Sequence, residues 1–550
     1  MKCNRFVVLV VSGMTSSAAL ADDIAASPQI LTPRPDPGNP ALTISYLLWY
    51  SLDRDGHYAF NAELRPTGTD TTHGAYMPGP TGLTALARMG EQAAGAPSGQ
   101  LYSSFYYDSP VMTDGTMVTF RNALWGPGVS DANRWGLFVG APGALSLVAR
   151  QGSAVPEVNA SATMGVIGSP QLAGPGRVVF AAELNDPAIS SGAGDSGVWA
   201  WSGGQRTPIA LYNQPAPGVS GGLFAGLTNP EGYTVSPPPN PIVANRSGTV
   251  AIQTELQSFQ QGIWTHSPSA GLRLAALQGQ TTFTGLNAGI TLARQSRPAL
   301  NDTGLLALRC FLTRNALVTE DTDTAVVLGT PLTNPGSGPT HSFRVLSREG
   351  DSVPGRDPAW HIGTFHYSTV DNNLFSNPVL NSSGSVAFMA ELRNAAGTSS
   401  FGYGIFRYRG AGLETIVATG DLALDRSIHV NPFYSPVISD QDDVAFLGGQ
   451  SNVPGTSGLF VYSGGVLRTV ALLGDRVQVG PGSFRTISSL VNQTSGFPSP
   501  DPQFDANRDL HFWAMFTDGS TAMLVTHIPC PSGIGALVLA GLGIHRGRRR

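Results

Sequence analysis

Four glutamates occupy the same place in a degenerate repeat, three residues after an apolar anchor residue, and carboxylates at such a spacing can do chemistry. They are Glu63, Glu183, Glu255 and Glu391. If the repeats form a ring, equivalent positions share one radius, and four carboxylates there would bind a cation or a polyhydroxylated ligand. The alternative interpretation is that each glutamate ends its strand at a solvated rim. Acid–base hydrolysis would require two carboxylates within about 5–10 Å of each other.

Two aspartate pairs offer oxygen ligands of the kind that calcium prefers. Asp53 and Asp55 form one pair, and Asp440 and Asp442 form the other. Neither pair continues into an EF-hand loop with its terminal glutamate. Both lie in the turn before an anchor, where other repeats carry asparagine, so the sequence favours structural turn residues. We therefore predict no cofactor, with calcium at these aspartates as the alternative.

Two short strings are similar to nucleophile motifs of hydrolases. Gly194-Asp195-Ser196-Gly197 matches the string around the serine of chymotrypsin-like proteases, and Gly350-Asp351-Ser352 is similar to the start of a lipase motif. No matching histidine segment precedes the first string, and no helix pattern follows the second. Both strings also fall at regular positions of the repeat, which predicts strand and turn roles. The sequence favours a protein that is not an enzyme.

The elements that carry these residues come from an eightfold internal repeat. Each unit has a turn rich in Gly, Asn or Asp, then alternating apolar residues that end at an anchor. The anchors are Phe60, Phe120, Phe180, Ile252, Leu308, Phe388, Phe446 and Phe512. Each unit reads as four short strands separated by turn residues. We therefore predict an all-β chain, a single β-propeller of about eight four-stranded blades, with a β-solenoid as the alternative.

The two ends of the repeat region complement each other. The eighth unit stops after one further strand and lacks the strand that ends the other units. Residues 30–38 near the N-terminus resemble residues 346–355, which hold that strand in the fifth unit. The N-terminal strand is therefore predicted to complete the last blade. Such closure would also remove two exposed sheet edges, which otherwise invite aggregation.

Composition excludes several classes of function. Charged residues make up only 13% of the chain, and Lys2 is its only lysine, so lysine nucleophiles and Schiff bases are excluded. Residues 22–528 hold all 37 acidic residues and 26 of the 32 basic ones, a formal net charge of −11. A body of this charge does not suit nucleic-acid binding.

The chain ends predict processing and sorting. Residues 1–21 combine basic residues, an apolar run and an Ala-Leu-Ala cleavage site, which is typical of a signal peptide. Residues 529–550 combine Pro529-Cys530-Pro531, an apolar run and a terminal arginine cluster. This tail resembles the PEP-CTERM tails of exosortase-processed bacterial proteins, with Cys530 where those tails usually have glutamate. We expect residues 22–528 to form the propeller.

Repeat and tail together resemble an uncharacterised family of repeat β-propellers secreted by planctomycete-like bacteria. The resemblance implies a secreted protein of the cell envelope and a sorting peptidase as partner. With no catalytic constellation apparent, the sequence favours a non-enzymatic binding or scaffold module for a polysaccharide or an envelope protein. A secreted glycan hydrolase or lyase is the alternative.

Overall fold

The computed structural model is all-β. It describes residues 23–24, 26–66, 71–80, 82–103, 105, 112–186, 196–226, 242–315, 318–319, 322–334, 336, 338–365, 377–394, 399–410, 412–423, 426–430, 436–450, 458–491 and 502–529. The predicted signal peptide lies outside the described residues, and so does the predicted tail apart from Pro529. In the described ranges no helix has the length and apolar character needed to cross a membrane.

Short strands joined by tight turns account for the abundance of glycine in the sequence. In chain order the strands are β1 (Asp23–Ile24), β2 (Ser27–Leu31), β3 (Arg34–Pro35), β4 (Leu42–Leu52), β5 (Tyr58–Pro66), β6 (Thr72–Gly79), β7 (Gly82–Arg88), β8 (Leu101–Tyr102), β9 (Met112–Thr113), β10 (Val118–Trp125), β11 (Trp135–Ala141), β12 (Ala144–Arg150), β13 (Thr163–Ile167), β14 (Gln171–Leu172), β15 (Arg177–Asn185), β16 (Ser196–Ser202), β17 (Gln205–Leu211), β18 (Phe224–Gly226), β19 (Ile242–Ala244), β20 (Val250–Leu256), β21 (Gln261–Ser267), β22 (Gly271–Leu277), β23 (Phe283–Thr284), β24 (Leu292–Gln295), β25 (Ala299–Leu300), β26 (Leu306–Leu312), β27 (Thr324–Pro331), β28 (His341–Arg348), β29 (Trp360–Ile362), β30 (Val379–Leu380), β31 (Val386–Asn394), β32 (Ser400–Arg409), β33 (Gly412–Ala418), β34 (Leu422–Ala423), β35 (Arg426–Val430), β36 (Val437–Ile438), β37 (Val444–Gln450), β38 (Gly458–Ser463), β39 (Val466–Leu472), β40 (Arg476–Gly480), β41 (Ser483–Ser489), β42 (Gln503–Phe504), β43 (Asp509–Phe516) and β44 (Thr521–His527).

These strands form eight sheets, which follow one another along the chain as blades 1 to 8. Each blade has four strand positions in antiparallel order. The first strand is β4 in blade 1 and is split into two pieces in the other blades, for example β13 and β14 in blade 3. The second strands are β5, β10, β15, β20, β26, β31, β37 and β43, and each carries one predicted anchor. The eight repeats of the sequence are therefore the eight blades.

The core lies between blades and closes into a ring. Successive side chains of a strand point to opposite faces, so each second strand contributes to two neighbouring cores. In blade 3, Phe180 packs toward blade 2, whereas Val179 and Ala181 pack toward blade 4. Eight apolar clusters fill the interfaces between consecutive blades, and the eighth joins blade 8 to blade 1. A solenoid would leave its last repeat far from its first, so the ring confirms the propeller.

The N-terminal strand completes the last blade, as predicted. Strand β2 runs antiparallel to β44 with Ile30 opposite Met523, and it takes the fourth position of blade 8. Ile30 enters the core between blades 8 and 1. Just beyond the strand, Thr32 and Thr521 are fully buried and exchange hydrogen bonds of 2.8 and 2.9 Å. The ring is therefore closed by chain segments almost 500 positions apart.

Candidate functional site

The turn between the first and second strands of each blade forms one end of the ring, which we call the turn face. In blades 5 and 6 its first residue is asparagine, whose side-chain oxygen accepts hydrogen bonds from backbone N–H groups two and four positions on. Asn301 accepts from Thr303 at 3.1 Å and Leu305 at 2.9 Å. Asparagine and aspartate favour such turns because their short side chains reach the local backbone.

These two asparagines and Asn245, the first turn residue of blade 4, also link neighbouring blades. Asn245 Nδ2 donates to the carbonyl of Asn301 at 2.7 Å, and Asn301 Nδ2 donates to the carbonyl of Asn381 at 3.0 Å. Asn381 Nδ2 in turn donates to the carbonyl of Ser439 at 2.8 Å. All three asparagines are buried. These hydrogen bonds fix the turns of blades 4 to 7 relative to one another around the central channel of the propeller.

The second residue of these turns points to the axis of the ring. Arg54 of blade 1 donates to Asp302 of blade 5 at 3.0 Å and to Ser382 of blade 6 at 2.8 Å, and it also pairs with Asp440 of blade 7. Blades 1 and 5 are diametrically opposed in a ring of eight. A hydrogen bond between them requires that both side chains meet at the axis, where Arg54 crosses the mouth of the channel.

A second arginine completes this cluster. Arg246 donates to Asp55 at 3.1 Å and lies 3.5 Å from Asp53, while its main-chain N–H donates to Asp302 at 3.0 Å. The hydrogen bond from Arg246 lowers the pKa of Asp55 below its usual value. We call Arg54, Arg246, Asp53, Asp55, Asp302 and Asp440 the axial ion-pair network.

The structure brings the predicted metal residues to this one mouth of the channel. Asp53, Asp55 and His57 place ligand atoms within 4.8 Å of one another. The other two predicted ligands bond to the neighbouring blade. Asp440 accepts a hydrogen bond from the main-chain N–H of Ser382 at 3.0 Å, and Asp442 accepts one from Asn381 Nδ2 at 2.9 Å. Arg54 and Arg246 bring the positive charge that a calcium ion would supply, and the calcium site stays a prediction.

The four predicted glutamates occupy equivalent positions in blades 1, 3, 4 and 6. Glu63 accepts from Ser45 at 3.3 Å and pairs with Arg65 at 3.0 Å. Glu183 is exposed, Glu255 is half-buried opposite Gln261, and Glu391 pairs with Arg393 at 2.8 Å. The side-chain partners shown for Glu63 and Glu391 come from their own blades. Their common role as a ligand site stays a prediction.

One further carboxylate lies beside Glu391. Arg393 reaches Glu349 at 3.5 Å as well as Glu391, so two carboxylates flank one guanidinium. Burial raises the pKa of Glu349 above its usual value. The hydrogen bond from Thr324 and the charge of Arg393 lower this pKa, but burial outweighs them. A carboxyl group of raised pKa next to a second carboxyl group is an arrangement that glycosidases use. The Glu349 side chain is only 4% exposed, however, so a substrate cannot reach its carboxyl group.

The hydrolase-like strings serve the fold where the structure describes them. Ser196 is buried in β16, paired with Glu183 of the neighbouring strand, whereas Gly194 and Asp195 lie outside the described residues. In the second string, Asp351 accepts the backbone N–H of Arg348 at 2.7 Å and so closes a turn after β28.

Exposed aromatic rings gather at the opposite end of the ring, which we call the hairpin face because second strands connect there to third strands. Trp125 ends β10 and is 50% exposed, Phe259 lies between β20 and β21 at 81%, and Phe401 lies in β32 at 39%. In the described part of the chain these are the exposed tryptophan and phenylalanine residues. They lie in blades 2, 4 and 6, and Trp360 stacks on Phe401 with ring centroids 5.4 Å apart.

Sequence reasoning missed both the arginines and the aromatic residues. Arg54, Arg246, Asp302 and Asp440 all hold the second position of the turn, and charges of opposite sign at one repeat position were the available signal. The exposed aromatics had a weaker signal, since Phe259 interrupts a run of glutamine and serine. A single exposed aromatic is common on protein surfaces, so its position in the sequence alone indicates little.

The chain matches one family model, and its fold is similar to those of solved structures. A family model described as a family of unknown function, DUF7453, matches residues 52–535. No curated protein matches the sequence. Among solved structures, the β-propeller domain of the Trilobed protease from Pyrococcus furiosus is 10% identical with a TM-score of 0.34, covering 76% of this chain and 94% of that one.

Two further solved structures are similar at the same low level. The α-L-arabinanase of Penicillium chrysogenum, complexed with arabinobiose, is 10% identical with a TM-score of 0.28, covering 65% of this chain and 92% of that one. The polysaccharide lyase Uly1 is 10% identical with a TM-score of 0.31, covering 66% of this chain and 89% of that one.

Proposed function

We propose that this chain, which belongs to the DUF7453 family of unknown function, is a propeller of the bacterial cell envelope that binds polysaccharide on its hairpin face without cleaving it. The observation that carries the proposal is the placement of Trp125, Phe259 and Phe401. Three exposed aromatic rings occur in or next to the connection between the second and third strands of alternate blades, all at one end of the ring.

Aromatic rings on a rigid scaffold suit a sugar polymer. A planar ring offers a large apolar surface with few rotatable bonds, so little conformational entropy is lost on binding. Blades 2, 4 and 6 are spaced a quarter-turn apart around the ring. One long polysaccharide, or several short ones, can therefore contact more than one of these aromatic residues. Linked contacts of this kind raise the overall affinity above that of each single contact.

The pairing of the described acids supports binding rather than cleavage. Hydrolysis of a glycosidic bond uses two accessible carboxyl groups that flank the substrate. At the channel mouth the aspartates are paired with Arg54 and Arg246, and beside Arg393 the acid with the raised pKa is buried. The alternative of a secreted hydrolase or lyase is therefore less well supported by the geometry.

The proposal includes the location of the protein in the cell envelope. The signal-like residues 1–21 and the sorting-like residues 529–550 support export and processing by a sorting peptidase. An envelope protein is the other partner that such an address allows. A chain held at the cell surface would keep its binding face available to extracellular polymers.

The test uses the purified protein and a panel of neutral and acidic polysaccharides, with retention and released reducing ends scored in the same tubes. We expect retention without release. The triple variant Trp125→Ala/Phe259→Ala/Phe401→Ala should bind about two orders of magnitude more weakly, at roughly 1 kcal/mol per ring. The control is Leu332→Ala/Val466→Ala, which removes two exposed apolar side chains. Both lie at connections between third and fourth strands, which are at the same end of the ring as the turn face.

Three outcomes would each contradict a part of this proposal. Release of reducing ends would overturn the non-enzymatic proposal, and equal retention of the triple variant would show that the hairpin-face aromatics are not the binding surface. No retention of any polymer would contradict the polysaccharide proposal and favour a protein partner.

A further inference from the structure

Phe259 combines exposure with an unfavourable backbone conformation. It lies in the tight hairpin between β20 and β21, where its own N–H donates to Leu256 at 2.7 Å. Its φ is 63°, in the left-handed region, and its side chain is 81% exposed. A bulky residue in that region is an outlier, since only glycine and, less readily, asparagine or aspartate adopt it at low cost.

Three other non-glycine residues of the described chain have positive φ: Asn213 is of a residue type that adopts this region at low cost, and the other two have compensating bonds. Asp442 accepts a hydrogen bond from Asn381, and Arg508 donates to the buried Asp443 at 2.7 and 2.6 Å. Phe259 is mostly in water, so packing within the protein offsets little of its conformational cost. Strained residues of this kind gather at binding sites, where the strain holds a group ready for its ligand.

Neutral amide side chains lie in the hairpin that carries Phe259 and in the two segments hydrogen-bonded to that hairpin. Gln257 Nε2 donates to Asn213 Oδ1 at 3.2 Å, which ties the hairpin to the loop after β17. Gln260 Nε2 donates to the carbonyl of Gln278 at 3.2 Å, and Gln278 Oε1 accepts the N–H of Gln261 at 3.0 Å. We call Phe259, Asn213, Gln257, Gln260 and Gln278 the Phe259 patch.

The absence of formal charge in this patch indicates which kind of ligand it would bind. The three segments that form it, residues 212–216, 256–262 and 278–282, contain no Asp, Glu, Lys, Arg or His, although Glu255 directly precedes the second. Amides both donate and accept hydrogen bonds, as sugar hydroxyls do. An exposed apolar ring on a hairpin that also carries neutral donors and acceptors suits an uncharged sugar, which has an apolar ring face and polar hydroxyl groups.

We infer that the Phe259 patch is a subsite for a neutral polysaccharide, with Phe259 stacking against a sugar ring and Asn213 and Gln257 meeting its hydroxyl groups. The inference rests on the proposed polysaccharide-binding function and assigns its neutral subsite to blade 4. Because this subsite carries no formal charge, its affinity changes little with salt, whereas binding of an acidic polymer through arginines weakens as salt rises.

The decisive variant is Phe259→Gly in the full chain. Glycine adopts a φ of 63° without strain, so we expect an unchanged or higher melting temperature together with about tenfold weaker binding of laminarin, xylan or dextran. Phe259→Trp should retain the affinity, because it keeps an aromatic surface. Val466→Ala, on the turn face, is the control for the loss of an exposed apolar side chain.

The outcomes separate this inference from the proposed function. Undiminished binding by Phe259→Gly, in a protein that retains these polymers, overturns the subsite and leaves the function standing. A clear drop in the melting temperature shows that the ring packs against the protein, which also overturns it. Binding confined to alginate and weakened by salt contradicts the neutral ligand, and no retention of any polymer contradicts the proposed function itself.

Discussion

At the scale of single residues, Asp36 shows how one buried carboxylate fixes the N-terminal segment to the first blade. It accepts the N–H groups of Gly38 at 2.8 Å and Asn39 at 2.9 Å, and it pairs with Arg88 and Tyr76. Burial alone would raise the pKa of Asp36, but the hydrogen bonds from Arg88 and Tyr76 outweigh it and the pKa is lowered. The folded protein therefore favours the ionised carboxylate.

This arrangement predicts a pH-dependent cost for Asp36→Asn. At pH 7 the variant should lose about 3 kcal/mol of unfolding free energy, because Arg88 loses its buried partner. A lowered pKa stabilises the fold above the unfolded pKa near 3.9, and the effect disappears as pH falls through the lower folded pKa. The difference between wild type and variant should therefore shrink below about pH 4.

Urea unfolding from pH 7 down to pH 3 measures this difference. Asp131→Asn, at a side chain that is 94% exposed, is the control and should follow the wild type throughout. A difference that stays constant with pH would show that the Asp36→Asn change acts through packing rather than through the lost charge.

At the scale of elements, β2 is a short strand that stabilises the whole ring. Its Ile30 is 3% exposed in a cluster with Trp513 of blade 8 and Tyr50 of blade 1. Five residues form too few backbone hydrogen bonds to persist alone, so apolar burial between the blades holds the strand in place.

Ile30→Ala should therefore lower the unfolding free energy by about 3 kcal/mol. The same change should speed amide hydrogen exchange in β44, the strand that β2 covers, before other blades are affected. Leu473→Ala, at a side chain that is 38% exposed near the end of blade 7, is the matched control and should cost much less. Equal costs for the two variants would mean that β2 does not latch the ring.

At the scale of the whole molecule, the axial ion-pair network ties opposite blades together. Arg54 belongs to blade 1, and its partners Asp302, Ser382 and Asp440 belong to blades 5, 6 and 7. Removing its charge leaves several aspartates close together with Arg246 as the remaining cation of the network. The resulting repulsion acts across the ring rather than within one blade.

Arg54→Met should lower stability by about 1 kcal/mol at low ionic strength, since these pairs are partly exposed. The loss should shrink in 1 M salt, where charges are screened within about 3 Å. Adding Asp440→Asn to Arg54→Met should recover part of the loss, because it removes one of the unpaired charges. Thermal unfolding in low and high salt tests both, and a loss independent of salt would contradict an electrostatic tie.

The sequence by itself determined the blade count and the closure of the ring. Anchors such as Phe180 and turn residues such as Asn301 act locally, because strand alternation and side-chain-to-backbone turns depend on neighbours a few positions away. The likeness of residues 30–38 to the end of another repeat was also visible without coordinates, and β2 confirms it.

Only the tertiary structure decided which side chains meet. Arg54 and Asp302 are 248 positions apart, and closure of an eight-bladed ring brings them to one axis. The same closure places Trp125, Phe259 and Phe401 on one face, although no spacing in the sequence marks them as related. Contacts across a ring depend on which way each side chain points once the ring has closed, and local sequence patterns do not encode that direction.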